Sequence, residues 1–492
     1  MTHDLLIVGG GINGAAIARE AALNGLSVLL VEKGDLAAAT SSASTKLIHG
    51  GLRYLEYYDF KLVREALIER ERLLKAAPHL IHPLRFVLPH EHAIRPWWMV
   101  RLGLVLYDHL GGRISLPRSR GLRAGDTLYR APLKDGQRGF VYSDARVDDS
   151  RLVILNARDA ADHGAEILTR TALVSATRDG AVWRAALGDG DTATARAIVN
   201  AAGPWVAPVN ALLGIDSRAG ARLVKGSHII VRQLFAGDHA YILQQPDRRI
   251  VFAIPYLDGL TLVGTTDVPV ERAEDAHIDA TESTYLLDAI NRHFTRQTDR
   301  DAIVATYSGI RSLYDDGASE ARQITRDYVL EMDDGGDAAT PPLLSIFGGK
   351  ITTGRRLAED ALAKLAPRLG ITPAKVTRNR PLPGGDMPDF GSFVAEVTTR
   401  WPFLGAARAR RMAGAYGTLL ATLLDGVTDD SGLGEDFGLG LTAREVQWLI
   451  DHEWARTAED ILWRRTRLGL NAPAGMAARL TTFLATQADK SC

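Results

Sequence analysis

Cysteine is almost missing from this chain: among 492 residues there is one, Cys492, at the last position. That excludes an intramolecular disulfide, a CxxC redox pair and a cysteine metal cluster. Long apolar runs are missing as well. No stretch reaches the roughly eighteen apolar residues that a membrane-spanning helix needs. The densest apolar segment, Trp97–Tyr107, is shorter and carries Arg101. An excess of one charge is also absent: the net charge is −1, so no global field favours nucleic acid, and none is expected as a partner. There is no internal repeat and no low-complexity tract. The first strand is expected by Leu5, which leaves no room for a signal peptide. No metal is expected: His90-Glu91-His92 lacks the HExxH spacing. Gly348-Gly349-Lys350 lacks the leading glycine and the following hydroxyl residue of a P-loop. At 46% hydrophobic and 24% charged, the composition is that of a soluble globular chain. The length allows two to four domains.

The first residues carry the strongest signal. Leu5-Leu6-Ile7-Val8 reads as a buried strand, Gly9-Gly10-Gly11-Ile12-Asn13-Gly14 as a glycine turn, and Ala15–Leu23 as a helix. A dinucleotide site needs this order. Gly9 permits the tight turn, Gly11 lets a pyrophosphate approach the backbone, and Gly14 lets the helix pack close to the strand. The helix start adds free N–H groups and a positive dipole end. A second strand, Ser27–Val31, ends at Glu32, where an acid can accept from both ribose hydroxyls and would repel the 2′-phosphate of NADP.

Further along, Ala37–Arg53 is rich in hydroxyls and small residues and reads as a loop that wraps a ligand. Phe60–Ala77 reads as an amphipathic helix. Its Arg64, Arg70, Arg72 and Lys75 alternate with Glu65, Glu69 and Glu71, as on a solvated salt-bridged face. Arg196–Trp205 reads as a strand and small-residue turn returning to the nucleotide sheet. Ser227–Thr266 has the short runs of an antiparallel sheet. Leu343–Phe347 is a further buried strand, followed by Gly348-Gly349-Lys350 and a helix over 353–365. Pro381–Gly385 is the best domain boundary, and helical composition follows it. The nucleotide fold is therefore discontinuous, an arrangement often seen in flavin enzymes.

With those segments in view, the chain closely resembles the aerobic, membrane-associated, FAD-dependent glycerol-3-phosphate dehydrogenases. The resemblance rests on Ala39–Leu55, Lys225-Gly226-Ser227-His228, Gly264-Thr265-Thr266-Asp267, Ile324–Tyr328, Phe347–Thr353, Asp451–Ala455 and Leu462–Arg465. It covers essentially the whole chain. Two positions depart from the pattern: Gly354 stands where a tyrosine is expected, and Ser312 where a proline is expected.

The resemblance implies a fold of class α/β plus α+β. An FAD-binding Rossmann-type domain of the D-amino-acid-oxidase-like kind spans 1–80, 145–204 and 341–380. An antiparallel-sheet substrate-binding domain spans 81–144 and 205–340, and a C-terminal helical domain spans 386–492. It implies FAD as cofactor and oxidation of sn-glycerol 3-phosphate to dihydroxyacetone phosphate, with hydride passing from C2 to FAD N5 and electrons onward to a membrane quinone. The implied cofactor contacts are Gly9, Gly11, Asn13, Gly14, Glu32, Thr40, Ser41, Ser44, Lys46, Leu47, His49, Ala202, Gly203, Gly349, Lys350 and Thr353. A dianionic phosphate needs forked cationic donors. Arg53, Arg311 and Arg326 are expected to form that clamp, with Tyr54 and Thr266 as neutral partners. The other reading of Arg311 is a surface ion pair with Asp315 or Asp316. Lys350 is expected at the substrate or at the flavin edge, where a cation stabilises the reduced form. His228 is the candidate proton acceptor. A cation clamp that lowers the hydroxyl pKa unaided is the alternative.

A quinone acceptor lives in lipid, so the implied location is the cytoplasmic face of the inner membrane, bound peripherally as a monotopic protein. Trp97, Trp98 and the arginines Arg95, Arg101, Arg113, Arg118 and Arg120 suit a lipid interface, and a core helix suits the same residues. A homodimer is left open. Two alternatives stand beside this reading, and the residues separate the first of them from it poorly. A soluble glycerol-3-phosphate oxidase would hand electrons to oxygen and form peroxide. A non-catalytic flavin-binding module would have no use for the cation cluster.

Overall fold

The computed structural model describes residues 1–90, 93, 95–134, 138–215, 220–315, 327–337 and 339–488. Two large sheets organise the first three-quarters of the chain. The first has the strand order Val329–Asp333, Leu343–Phe347, Thr192–Asn200, Thr2–Val8, Val28–Glu32, Glu166–Thr169. The pairs from Leu343–Phe347 through to Glu166–Thr169 are parallel. Such strands are covered on both faces, which is why Leu5, Leu6 and Ile7 are all fully buried. Helix Ile12–Leu23 lies against helices Asp149–Asp162 and Gly354–Leu369. Its alanines allow that closeness, and Arg19 pairs with Asp159 at 2.6 Å inside the contact.

The second sheet is mostly antiparallel and crosses 47–315 in sequence. Strand Gly220–Arg232 is its spine, pairing along its length with Ile303–Asp315. Its side chains alternate between two layers. Ile229 and Val231 face helix Ala280–His293, in one cluster with Leu286 and Ile290. Ile230 faces the other layer, with Leu67, Leu104 and Tyr107. Strand Val329–Asp333 falls in a segment expected in the substrate-binding domain, yet it pairs in the nucleotide sheet. Strand Leu47–Ile48 crosses the other way, pairing with Gly139–Val147.

The C-terminal region is helical from Phe390 onward with its own core around Met412, Tyr416, Phe437 and Leu449. Buried ion pairs fasten it to the nucleotide domain. Asp35 pairs with Arg464 at 2.5 Å and with Arg465, and Arg151 pairs with Glu453.

Helix Phe60–Ala76 forms as its pattern predicts, but its charged face is solvated only in part: Arg64 and Lys75 are exposed. Glu69 and Arg70 are buried. Glu69 holds Arg355 at 2.6 Å, and Arg70 holds Asp144 at 2.7 Å. Partners distant in sequence have made these charges interior. Helix Trp97–Leu110 divides the two readings of its residues. Leu104 and Tyr107 are buried, whereas Trp98, Leu102 and Leu106 are exposed. Among the described residues no helix is long and apolar enough to cross a membrane.

Candidate active site

A cavity of about 820 Å³ runs between the two sheets. One end is the glycine turn. Gly9 has φ +112°, and a Cβ there would sit 2.6 Å from the Ala201 carbonyl oxygen. A Cβ on Gly14 would sit 1.9 Å from the Gly9 carbonyl oxygen, so only glycine lets this helix meet its strand. Helix Ile12–Leu23 has no capping side chain and no acid in its first turn; the Ile12 N–H donates to Ser41 Oγ at 3.0 Å. Glu32 accepts from the N–H groups of Gly10 at 2.7 Å and Gly34 at 2.8 Å, bracing the turn while it lines the cavity.

The other end is cationic. Arg53, Arg249, Arg311 and Lys350 line it, with Tyr54, Phe252, Thr266 and Asp267. Lys350 follows the glycine pair Gly348–Gly349 at the end of strand Leu343–Phe347, and its Nζ lies 3.9 Å from the centre of the Tyr54 ring. Among the described residues, three buried polar atoms on this cavity have no hydrogen-bond partner: Asn13 Oδ1, Ser312 Oγ and Lys350 Nζ. Buried polar atoms left unpaired are costly. A bare glycine turn with an orphaned acceptor on Asn13, and further orphaned groups on Ser312 and Lys350, fit a bound dinucleotide.

Of the residues expected from the sequence, Gly9, Gly11, Asn13, Glu32, Thr40, Ser41, His49, Arg53, Tyr54, Ala202, Gly203, Thr266, Arg311, Gly349 and Lys350 lie on this wall. Others stand behind it. Gly14 packs helix on strand. Ser44 Oγ donates to Asp149 at 2.7 Å, and the Lys46 ammonium donates to the same carboxylate at 2.9 Å. Those two residues brace the wrapping loop. Burial pulls the Lys46 ammonium down to about 8, against the pull of Asp149. Leu47 is buried in its strand, and Thr353 is buried at the start of helix Gly354–Leu369. Arg326 lies outside the described residues. Gly354, at the first departure from the family pattern, faces Ile12: a Cβ there would come within 2.9 Å of Ile12 Cγ1.

His228 is one layer back from the cavity. Its ring stacks on Tyr307 with centroids 4.8 Å apart, and its Nε2 lies 3.0 Å from the hydroxyl of Thr45, which is on the wall. Burial, then Lys46 and Arg311, lowers its pKa to about 3. His49, on the wall, is lowered to about 4 by burial, Lys350 and Arg70. Arg311 pairs with Asp267 at 3.0 Å; Asp316, a partner in the other reading, lies outside the described residues. The hydroxyl of Thr266 is used internally: it donates to Glu282 at 2.7 Å and accepts from the Ser227 N–H at 2.9 Å.

Sequence reasoning passed over Arg249, Asp267 and the pair Lys33–Trp205, whose Nζ-to-ring distance is 3.6 Å on the cavity wall. Asp267 closes a quoted motif, which was its available signal. Arg249 had none, since a charged residue opening a hairpin strand is ordinary.

A glycine turn, a mixed parallel sheet and a second sheet roofing one long cavity define a dinucleotide-binding oxidoreductase. The matches to known proteins agree. Residues 4–353 match the family model for FAD-dependent oxidoreductases, and residues 375–489 match the C-terminal domain of alpha-glycerophosphate oxidase. The chain is 51% identical to a glycerol-3-phosphate dehydrogenase of Pseudomonas aeruginosa, over 98% of this chain and 95% of that one. It is 48% identical to a D-erythritol 1-phosphate dehydrogenase of Brucella abortus, over 95% and 94%. The crystal structure of a glycerol-3-phosphate dehydrogenase from Bacillus halodurans complexed with FAD superposes with a TM-score of 0.75 at 26% identity, covering 99% of this chain and 94% of that one. The chain belongs to the FAD-dependent oxidoreductase family, in the group that holds these dehydrogenases, as the sequence motifs had implied.

Proposed function

We propose that this enzyme oxidises sn-glycerol 3-phosphate to dihydroxyacetone phosphate and delivers the electrons to a membrane quinone. The observation that carries the reading is the cationic lining of the cavity: Arg53, Arg311 and Lys350 all lie on its wall, as does Arg249, which is held by Asp247 at 2.7 Å. A phosphate dianion is the ligand such a set suits. FAD, when bound, supplies the acceptor for the hydride leaving carbon 2. The chain's own residues do the rest. Arg53 and Arg311 hold the phosphate and so orient carbon 2. Lys350 places positive charge where the substrate oxygen becomes negative. Thr45 offers its hydroxyl on the wall and is backed by His228, which is neutral at pH 7 and accepts the proton through it. A histidine lowered to about 3 is a weak base, so the cations must lower the substrate hydroxyl's pKa as well.

The relative from Brucella abortus favours a second reading, a longer polyol phosphate such as D-erythritol 1-phosphate. Both compounds carry a phosphate and a secondary alcohol. Anaerobic mixing of the yellow holoenzyme with each compound separates them: the true substrate bleaches the flavin at low concentration.

The acceptor reading rests on an exposed apolar face. Trp98 (63% exposed), Leu102 and Leu106 project from one helix, and Tyr57, Tyr58 and Phe60 project from the adjoining segment. That segment also carries Arg53 and Tyr54 into the cavity. Exposed aromatics of this kind suit the headgroup region of a bilayer. We take this face as the peripheral attachment to the cytoplasmic side of the inner membrane. Peroxide formed in proportion to substrate would instead mark an oxidase.

A further inference from the structure

Asp267 is a carboxylate in a cavity whose cations await a phosphate, and the reaction as read above gives it no task. It sits on the wall, 3.0 Å from the Arg311 guanidinium, and both side chains are about half exposed, at 48% and 47%. The same Arg311 nitrogen lies 3.4 Å from the Thr266 carbonyl oxygen. Arg311 extends across Gly226, where a Cβ would stand 3.5 Å from the guanidinium. The backbone that bears Asp267 is firmly held. Thr266 is anchored through its hydroxyl to Glu282, which is itself paired with buried Lys225 at 2.9 Å and accepts from Ser227 at 2.8 Å. A firmly held backbone therefore presents a half-exposed carboxylate to the guanidinium.

Two roles are open to such a group. It can accept a hydrogen bond from a substrate hydroxyl, or it can occupy Arg311 until a phosphate arrives. The contact favours the second, because the carboxylate is already on the arginine. Ion pairs exposed to this degree contribute little net stability. A phosphate dianion that offers two charge-assisted oxygens displaces such a partner readily. The exchange keeps charge balanced in both directions, with Asp267 reclaiming Arg311 as product leaves.

We propose that Asp267 is the resting counter-ion of Arg311, exchanged for the substrate phosphate on binding and restored on release. It is thus a positioning residue that weakens anion binding in order to let product go. The proposal rests on Arg311 being a phosphate ligand, as argued above. The test is calorimetric titration of the holoenzyme with methyl phosphate, which has the dianion but no hydroxyl. Asp267→Asn should tighten methyl phosphate about tenfold, since a competing unit charge a few ångströms away has gone. Asp267→Glu should stay near wild type. The tightening should vanish when Asp267→Asn is combined with Arg311→Ala. A general loss of structure would weaken binding instead, and flavin occupancy monitors it; Asp267→Ser serves if the asparagine variant loses flavin. Unchanged or weaker methyl phosphate binding by a flavin-replete Asp267→Asn or Asp267→Ser variant overturns the counter-ion role. Weakened glycerol 3-phosphate alongside unchanged methyl phosphate would make Asp267 a hydroxyl acceptor. No methyl phosphate binding by the wild type would overturn the clamp itself, and this inference with it.

Discussion

Replacing Trp98 and Leu102 together by serine should release the protein from membranes. The two side chains are 63% and 53% exposed, on one face of helix Trp97–Leu110. Full insertion would bury about 150 Å² of the indole and about 90 Å² of the leucine, worth about 6 kcal/mol at ~25 cal/mol per Å². Shallow insertion into the headgroup region halves that, to about 3 kcal/mol, or about a 100-fold shift in partition. Trp97 is left in place because it stacks on Phe140 with centroids 3.9 Å apart, so its loss would disturb packing. The assay is flotation with vesicles containing anionic lipid, at low and high salt. Salt should weaken the contribution of the nearby arginines and leave the apolar part intact. Flavin content and turnover with a water-soluble dye should persist in the variant. Equal flotation of variant and wild type would refute the membrane face, and loss of flavin would show that these residues serve the fold.

Gly11→Val should remove the flavin and leave the fold intact. Only Ser41 Oγ, at 3.1 Å, crowds a Cβ there within the protein, so circular dichroism should be unchanged while flavin absorbance is lost. Free glycerol should be a very poor substrate of the wild type; Arg311→Ala should leave its use unchanged and lower kcat/KM for glycerol 3-phosphate about 100-fold, the loss of a charge-assisted contact to a dianion. Stability should fall as pH drops below 6.5. His49, His79 and His228 are lowered to about 4, 3 and 3 by burial, so the unfolded chain binds protons that the folded chain refuses. Each costs about 1.4 kcal/mol per pH unit from 6.5 down to its folded value. Denaturant midpoints between pH 7 and 4.5 measure this, and a flat profile would contradict the burial of these rings.

What the sequence revealed was mostly local. The glycine turn, Glu32 and the hydroxyl-rich loop announce themselves because their chemistry lies within a few residues of chain. Burial that depends on distant partners stayed hidden. Glu69 and Arg70 look like solvated helix residues until Arg355 and Asp144 arrive from elsewhere. The depth of His228 follows from its register, opposite Gly264 on one side and Tyr307 on the other. Neither neighbour is visible in the pattern around His228 itself. Lys46 and Ser44 look like ligand contacts because they lie in a ligand loop, but Asp149, about 100 residues on, takes both. Arg249 and Asp267 reach the cavity from the ends of paired strands, a placement that no short motif records.

The central claim is that one cavity joins a flavin to a phosphate clamp. The most direct measurement is the visible spectrum of the purified protein under anaerobic conditions, before and after addition of sn-glycerol 3-phosphate. The account predicts a yellow protein whose flavin bands bleach stoichiometrically with dihydroxyacetone phosphate formed, and which free glycerol leaves coloured. A colourless protein that takes up no FAD, or a yellow one that bleaches equally with glycerol, would contradict it.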